Sequence, residues 1–275
     1  MRVFGSFALS VLLALPCQAA VEYQFRQVTR SDQATVQAPE VTGRAIIDGD
    51  STRVDYLSGS TFDTGTYLVA RRDRGELLII NPKNKTYSVT QLSAVASSIG
   101  NRGIKIDNLK TDLRKMEGRP VVAGLPTDHY RLEATYDMTV AFGEIALTQK
   151  IQTIVDKWTT EAFGTAGESL IVDEPLRTGN EQIDRLIEAE TSRVKGLPLR
   201  QVVTITTTPS NVRSNSQLKM NGRRRHVSEM IVTSIQARDV ERSYFDVPAG
   251  FTKVQRVDTG SGDHAVETLS MEPVN

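Results

Sequence analysis

The side chains that could ligate a metal or relay a proton are few and scattered. The three histidines are His129, His226 and His264, and none has a second His, Cys or Glu at ligand spacing. That pattern predicts three separate polar histidines and no metal site. The chain holds no Gly-x-Ser-x-Gly elbow, phosphate loop, dinucleotide fingerprint or CxxC pair. A hydrolytic carboxylate pair can be assembled from residues remote in sequence. Here, however, Asp137 falls on the polar face of a strand, and Glu144, Asp173 and Glu174 fall in turns, where solvated charges are expected. Asp48-Gly49-Asp50 lacks the further carboxylates of a calcium loop and reads as a turn. The expectation is a non-enzymatic protein with no catalytic residue, metal or cofactor. A hydrolase with a hidden carboxylate pair is the weakest of three readings.

What the sequence concentrates instead is apolar surface. Tyr130, Leu132, Ala134, Tyr136, Met138, Val140 and Phe142 occupy seven successive even positions. Arg131, Glu133, Thr135, Asp137, Thr139 and Ala141 lie between them. Strand side chains alternate faces, so this is one long antiparallel strand of about 40 Å with one apolar face. Such a face needs a broad partner surface, either a core or a ligand. Ala146 to Trp158 is its hairpin partner, with apolar residues first at odd and later also at even positions. That change of parity predicts a bulge near Thr153 or a stretch covered on both faces, with Trp158 as a core anchor.

The remaining elements must position this hairpin. Val21, Tyr23 and Phe25 alternate as a first strand. Turns at Asp48-Gly49-Asp50, Asp73-Arg74-Gly75 and Asn81-Pro82-Lys83-Asn84-Lys85 then join a meander that runs to Thr90. Leu92, Val95, Ala96 and Ile99 stand at helical spacing, and Ile104 to Met116 is an irregular strand. Within an excursion over 159–197, Thr178 and Glu181 have capping-box spacing, and Ile183, Leu186, Ile187 and Val194 form a helical stripe. Arg193 and Lys195 suit that helix's carboxyl end. Val202 to Thr208 reads as a strand and Pro209 to Gln217 as a loop. Leu218 to Met220 and Arg224 to Arg238 read as a hairpin around Asn221-Gly222. Both helices are expected to cover the apolar face.

Residues 1–19 carry Arg2, an apolar run from Val3 to Leu15, and then small residues, the order of a secretory signal peptide. Cys17 offers a lipid-anchored alternative, against which Pro16 argues. Thirty-three basic residues balance thirty-three acidic ones, so no field favours nucleic acid, and no later run is long and apolar enough for an integral membrane helix. Arg223-Arg224-Arg225-His226 is the local exception, either a solvated hairpin shoulder or a lipid-phosphate or partner-binding patch. Residues 20–258 are expected as one domain and 259–275 as a disordered tail.

The order of parts resembles the periplasmic lipoprotein-carrier superfamily (LolA/LolB-like), and more closely the uncharacterised exported proteins grouped beside it. The residues that carry the resemblance are Arg53-Val54-Asp55-Tyr56, Leu78 through Tyr87, the later long hairpin, and Phe245-Asp246-Val247-Pro248-Ala249-Gly250-Phe251. The resemblance implies an α+β fold with a large curved antiparallel sheet, an incomplete barrel whose open, concave side is covered by helices. It also implies a hydrophobic interior. The expected function is a periplasmic binding protein for a lipid, acyl chain or other hydrophobic ligand. Its wall would be Tyr130, Leu132, Tyr136, Met138, Val140 and Phe142, and its lid Ile183, Leu186 and Ile187. The alternative is an interaction module of the cell envelope with a filled core and an envelope protein as partner.

Overall fold

In the computed structural model, which describes residues 19–34, 37–60, 62–100, 104–142, 145–164, 177–191, 193–213 and 222–255, these alternating segments join one twelve-stranded sheet. Its first half is a meander: β1 (Ala20–Ser31), β2 (Val41–Asp48), β3 (Ser51–Ser58), β4 (Tyr67–Arg71), β5 (Glu76–Asn81) and β6 (Thr86–Gln91). The other half is β7 (Ile104–Lys115), β10 (Asp128–Phe142), β11 (Ile145–Thr160), β12 (Leu197–Arg213) and β13 (Arg224–Arg238). A separate two-stranded hairpin, β8 (Val121–Val122) and β9 (Leu125–Pro126), precedes β10. The spatial order is β14-β6-β5-β4-β3-β2-β1-β13-β12-β11-β10-β7, and among the described residues β14 (Thr252–Lys253) is the one strand paired in parallel.

Chain connectivity forces this sheet to curl. β6 and β7 lie near opposite ends of the order, ten inter-strand steps apart, which in a flat sheet is about 48 Å. They are consecutive in sequence, joined by α1 (Leu92–Gly100) and residues 101–103. Nine helical residues rise about 13 Å, and the remaining links add at most about 14 Å. The two ends are therefore drawn together. The sheet is antiparallel, strongly bent and not closed into a barrel.

Both faces of its middle are packed. On β2, Ala45 and Ile47 join Val21, Tyr23, Leu197, Leu199 and Val232 in one core. Ile46, between them, joins Ala20, Tyr67, Val69, Leu78 and Ile80 in the other. The first core is capped by the β8–β9 hairpin through Val122, Ala123 and Leu125, with Phe163 beside it. The second is capped by the C-terminal segment through Phe245, Tyr244, Val247 and Phe251. Of the two helices, α1 lies along β6 and α2 (Glu181–Thr191) along β7 and β10, toward the two ends of the strand order. The β8–β9 cap was invisible to periodicity because each strand is two residues long, around Ala123 and Gly124 at φ 48° and 79°.

Several local expectations are corrected. β10 and β11 pair without interruption from Asp128–Thr159 to Phe142–Ile145, so Thr153 carries no bulge; the register of β11 shifts only against β12, at 148/149 and 158/159. Its mixed parity reflects apolar residues on both faces. α2 is capped by Asn180, whose side-chain oxygen accepts from the N–H groups of Gln182 and Ile183 at 3.2 and 3.3 Å. Thr178 instead donates from both its N–H and its hydroxyl to Asp184. The helix stops at Thr191, so Arg193, Val194 and Lys195 lie beyond it. β12 runs through Pro209 to Arg213, and the proline sits beside a register shift where β13 no longer pairs, so no ladder bond is lost. β13 takes β12 and β1 as its neighbours. Residues 1–18 of the expected signal peptide with Cys17, residues 256–275 with the expected tail over 259–275, residues 165–176 with Asp173 and Glu174, Glu144, His264, and Leu218 to Asn221 lie outside the described residues.

Gly43 marks a close approach within the first sheet half. It stands directly opposite Phe25 on β1, and a Cβ there would fall 2.6 Å from the ring carbon Cε1 and 3.1 Å from the Asp55 carbonyl oxygen. Gly43→Ala is expected to lower stability by about 1–3 kcal/mol through overpacking. Urea unfolding measures it, and adding Phe25→Leu should recover part of the loss; an unchanged midpoint in the single variant contradicts this packing.

Candidate functional site

The register of the sheet places the expected wall. On one face Leu132, Val155 and Val203 form a transverse row, and Tyr136, Ile151, Thr207 and Arg224 form another four residues further along. The even residues of β10 therefore share one face, as the alternation predicted. Along it burial is graded. Tyr130, Leu132 and Ala134 are buried, with Ile151 and Val155 beside them on β11. Tyr136, Met138, Val140 and, across the hairpin, Leu147 are half-buried. Phe142 ends the strand paired with Ile145, and its side chain lies outside the described residues.

α2 flanks the half-buried end. The Asn180 side-chain amide donates to the Ile104 carbonyl at 2.9 Å, and Ile104 pairs with Val140. The cap residue of α2 is thereby fixed to the far end of β7. Ile106 belongs to this edge strand, opposite Met138, yet is 6% exposed. The element packed on β7 is α2, which places the helix over the apolar face. Ile183 is buried, while Leu186 and Ile187 are half-buried. α2 thus lies at the strand end that carries Tyr136, Met138, Val140 and Leu147, an apolar stripe that is only partly covered. Burial pushes the Tyr136 phenol above its ordinary pKa, opposed by its hydrogen bond to Thr153.

The opposite face of the same strands carries a polar clamp that sequence reasoning left as separate charges. Asp156 accepts from His129 Nε2 at 2.7 Å and from Arg131 Nε and Nη2 at 2.9 and 3.0 Å. The His129 ring stacks on Trp158 at 4.3 Å, and the Arg200 guanidinium lies 4.5 Å from the centre of the same indole. Arg200 is in turn paired with Glu229 at 2.7 Å. Trp158 is therefore a half-buried platform between two cationic or polar partners. Its signal in the sequence was Arg131 and Asp156 at odd and even positions of two strands, legible only once the register was known.

A second feature missed by the sequence is an open cleft of about 400 Å³ between the sheet and the C-terminal segment, bordered by Arg53, Tyr67, Arg238, Glu241, Tyr244 and Asp246. Arg53 is held between the Tyr67 and Tyr244 rings at 3.6 and 4.3 Å and bonds Asp55 at 2.8 Å. Arg238 pairs with Glu22, and Asp246 with Arg71. The cleft's charges are largely matched from within, so it serves as a joint. Among the described residues no group of His, Cys, Asp or Glu is placed to hold a metal, and no helix is long and apolar enough to cross a membrane.

A bent, open antiparallel sheet with a flanking helix over a partly covered apolar stripe defines the class of architecture. No protein-family model and no curated protein matches the chain. Among solved structures it is similar in fold to the LolA superfamily protein NE2245 from Nitrosomonas europaea, at 10% identity and a TM-score of 0.31, over 84% of this chain and 91% of that one. It is also similar to PNGF-II solved in space group C2, at 10% identity and a TM-score of 0.35, over 89% of this chain. The chain spans about a third of the length of PNGF-II, with 32% of that protein covered. At such identities no chemistry carries over from either protein.

The polar clamp sets an acid limit on stability. Burial alone would raise the Asp156 carboxyl, but the hydrogen bonds and charges of Arg131 and His129 outweigh it and hold the pKa below the usual carboxylate value. A carboxylate depressed in the folded state contributes stability that is present above its unfolded pKa of about 3.9 and is lost as pH falls through the folded value. Asp156→Asn should cost about 1–3 kcal/mol at pH 7. Its stability should also fall less steeply than that of the wild type below about pH 4. Parallel acid-limb profiles for the two proteins would count against the clamp.

Proposed function

We propose that this chain is an exported, periplasmic, non-enzymatic binding protein for a lipid, an acyl chain or another apolar ligand, taken up along the stripe of Tyr136, Met138 and Val140 beneath α2. The observation that carries this reading is the burial gradient on one face of β10. The same alternation that fills a core at Tyr130, Leu132 and Ala134 continues through Tyr136, Met138 and Val140, where it is only half covered. Apolar side chains left part-exposed in a contiguous row mark a binding surface more often than a folding requirement. Tyrosine and methionine suit an adaptable apolar site, the one with a polar tip and the other with a flexible thioether. In this reading Ile183, Leu186 and Ile187 form the lid. The fold's similarity to a LolA superfamily protein is compatible with this assignment and supplies no ligand.

Native mass spectrometry of the protein purified from the periplasm, followed by organic extraction, tests the proposal. A stoichiometric lipid or saturable uptake of a fluorescent fatty acid is the expected result. Met138→Asp should weaken that uptake at least tenfold, about 1.4 kcal/mol, with the unfolding midpoint recorded to separate binding from folding. A clean ligand-free mass together with no uptake of the fatty acid sinks the proposal and leaves the envelope-protein interaction module.

A further inference from the structure

The chain is electrically neutral overall, yet its charges are unevenly placed. Residues 191–228 contain eight lysines and arginines and no aspartate or glutamate. The structure gathers part of this imbalance at one end of the sheet. Arg223, Arg224, Arg225 and His226 are all exposed at the start of β13, and Arg30 is exposed beside them, its backbone opposite Val227. The nearest acidic residue by register is Asp32, whose N–H donates to the Arg225 carbonyl at 3.1 Å. Among the described residues no carboxylate forms an ion pair with Arg30, Arg223, Arg224 or Arg225. Exposed arginines elsewhere in the sheet do find partners, as Arg26 does with Glu40 at 3.5 Å and Arg114 does with Asp112. Four guanidinium groups without an ion-pair partner among the described residues therefore share one pole of a molecule whose formal charge is balanced overall.

The pole coincides with the far end of the apolar face. Arg224 lies in the same transverse row and on the same face as Tyr136, three strands away, or about 14 Å. β10, β11 and β12 continue past that row where β13 has ended, and Met138, Val140 and Leu147 lie on this overhang. Cations flanking part-exposed apolar side chains at one end of a rigid sheet fit a surface that is anionic outside and apolar beneath. We infer that this end of the sheet, through Arg30, Arg223, Arg224 and Arg225, docks on an anionic phospholipid bilayer. Guanidinium groups suit that surface because each can hold a phosphate through two hydrogen bonds. The docking itself does not depend on ligand uptake; where uptake occurs, it brings the apolar stripe to the membrane.

Sedimentation with vesicles tests this. The full mature chain should bind vesicles of phosphatidylglycerol and phosphatidylcholine and leave pure phosphatidylcholine vesicles unbound, with binding falling as salt is raised. Each arginine near such a surface is worth roughly fivefold in partitioning, so R223A/R224A/R225A should lose about a hundredfold. These side chains are exposed, so the triple variant should keep its unfolding midpoint. Equal binding to both vesicle types, binding to neither, or unchanged binding of the triple variant overturns the inference. So does retention on polyglutamate beads without any vesicle binding, which would assign the patch to an acidic protein partner. Fatty-acid uptake, measured in parallel without vesicles, reports separately on the apolar site and is expected to be unaffected by the triple substitution.

Discussion

The pairing of β1 with β13 is the constraint on which the rest of the structure depends. It joins Ala20 to Arg238 and Ser31 to His226, the two ends of a chain segment more than two hundred residues long. Without it the first meander and the β7 to β13 half are two separate sheets. With it, Val21, Tyr23, Leu199 and Val232 share a core that neither half contains alone. Register is strictly specified because one face of this seam is buried at Tyr23 and Val232 while the other is open at Gln24 and Ser234, so a slip by one residue would exchange Tyr23 with Glu22 and Gln24. The Glu22–Arg238 ion pair strengthens that register, and the shift between Gln24 and Phe25 absorbs the twist. Such a non-local pairing must wait for both halves to form, which predisposes the fold to slow assembly.

A sheet packed on both faces at its middle must still place its charges. Arg71 is 8% exposed and donates to the Phe245 carbonyl at 2.8 and 3.2 Å and to Asp246 at 3.1 Å. It therefore locks the C-terminal segment over the second core. Asp156 performs the equivalent task between β10 and β11, with acceptor positions taken by His129 and Arg131. In both places a desolvated charge meets several donors or acceptors at once, the condition under which burial is tolerated. These two clusters hold strands and caps in position.

Long-range order in this protein was legible wherever one side-chain period ran for many residues. The alternation from Tyr130 to Phe142 became β10, and the turn residues at 48–50, 73–75 and 81–85 delimited the meander strands. Short or compensated features were not legible. The β8–β9 cap has too few residues for a period, and Pro209 reads as a breaker until the missing neighbour of β12 is known. The cap of α2 was misplaced by two residues because Thr178 and Asn180 are both good cap formers. Thr178 is taken up by Asp184, and Asn180 caps the helix while its side-chain amide also reaches the Ile104 carbonyl. The wall positions on β10 were readable from alternation, whereas their degree of exposure depends on where α2, an element distant in sequence, comes to rest.

That resting place explains why one face can be a core at one end and a surface at the other. Near Leu132 the face is filled by neighbours whose position is set by strand pairing, at about 4.8 Å spacing and with little freedom. Near Val140 the flanking element is an eleven-residue helix, tied near its start by the hydrogen bond from Asn180 to the Ile104 carbonyl and by the burial of Ile183. A helix of that length has little intrinsic stability and holds its place through packing. Its exposed face carries Glu181 and Arg185, which pair with each other and not with the sheet. Strand pairing runs through both ends alike, so the difference between them lies in the element that covers the face. A ligand entering between α2 and β10 would displace side-chain contacts and leave the backbone ladder intact. The fold can thus expose apolar surface at one end without weakening the seam that holds it together.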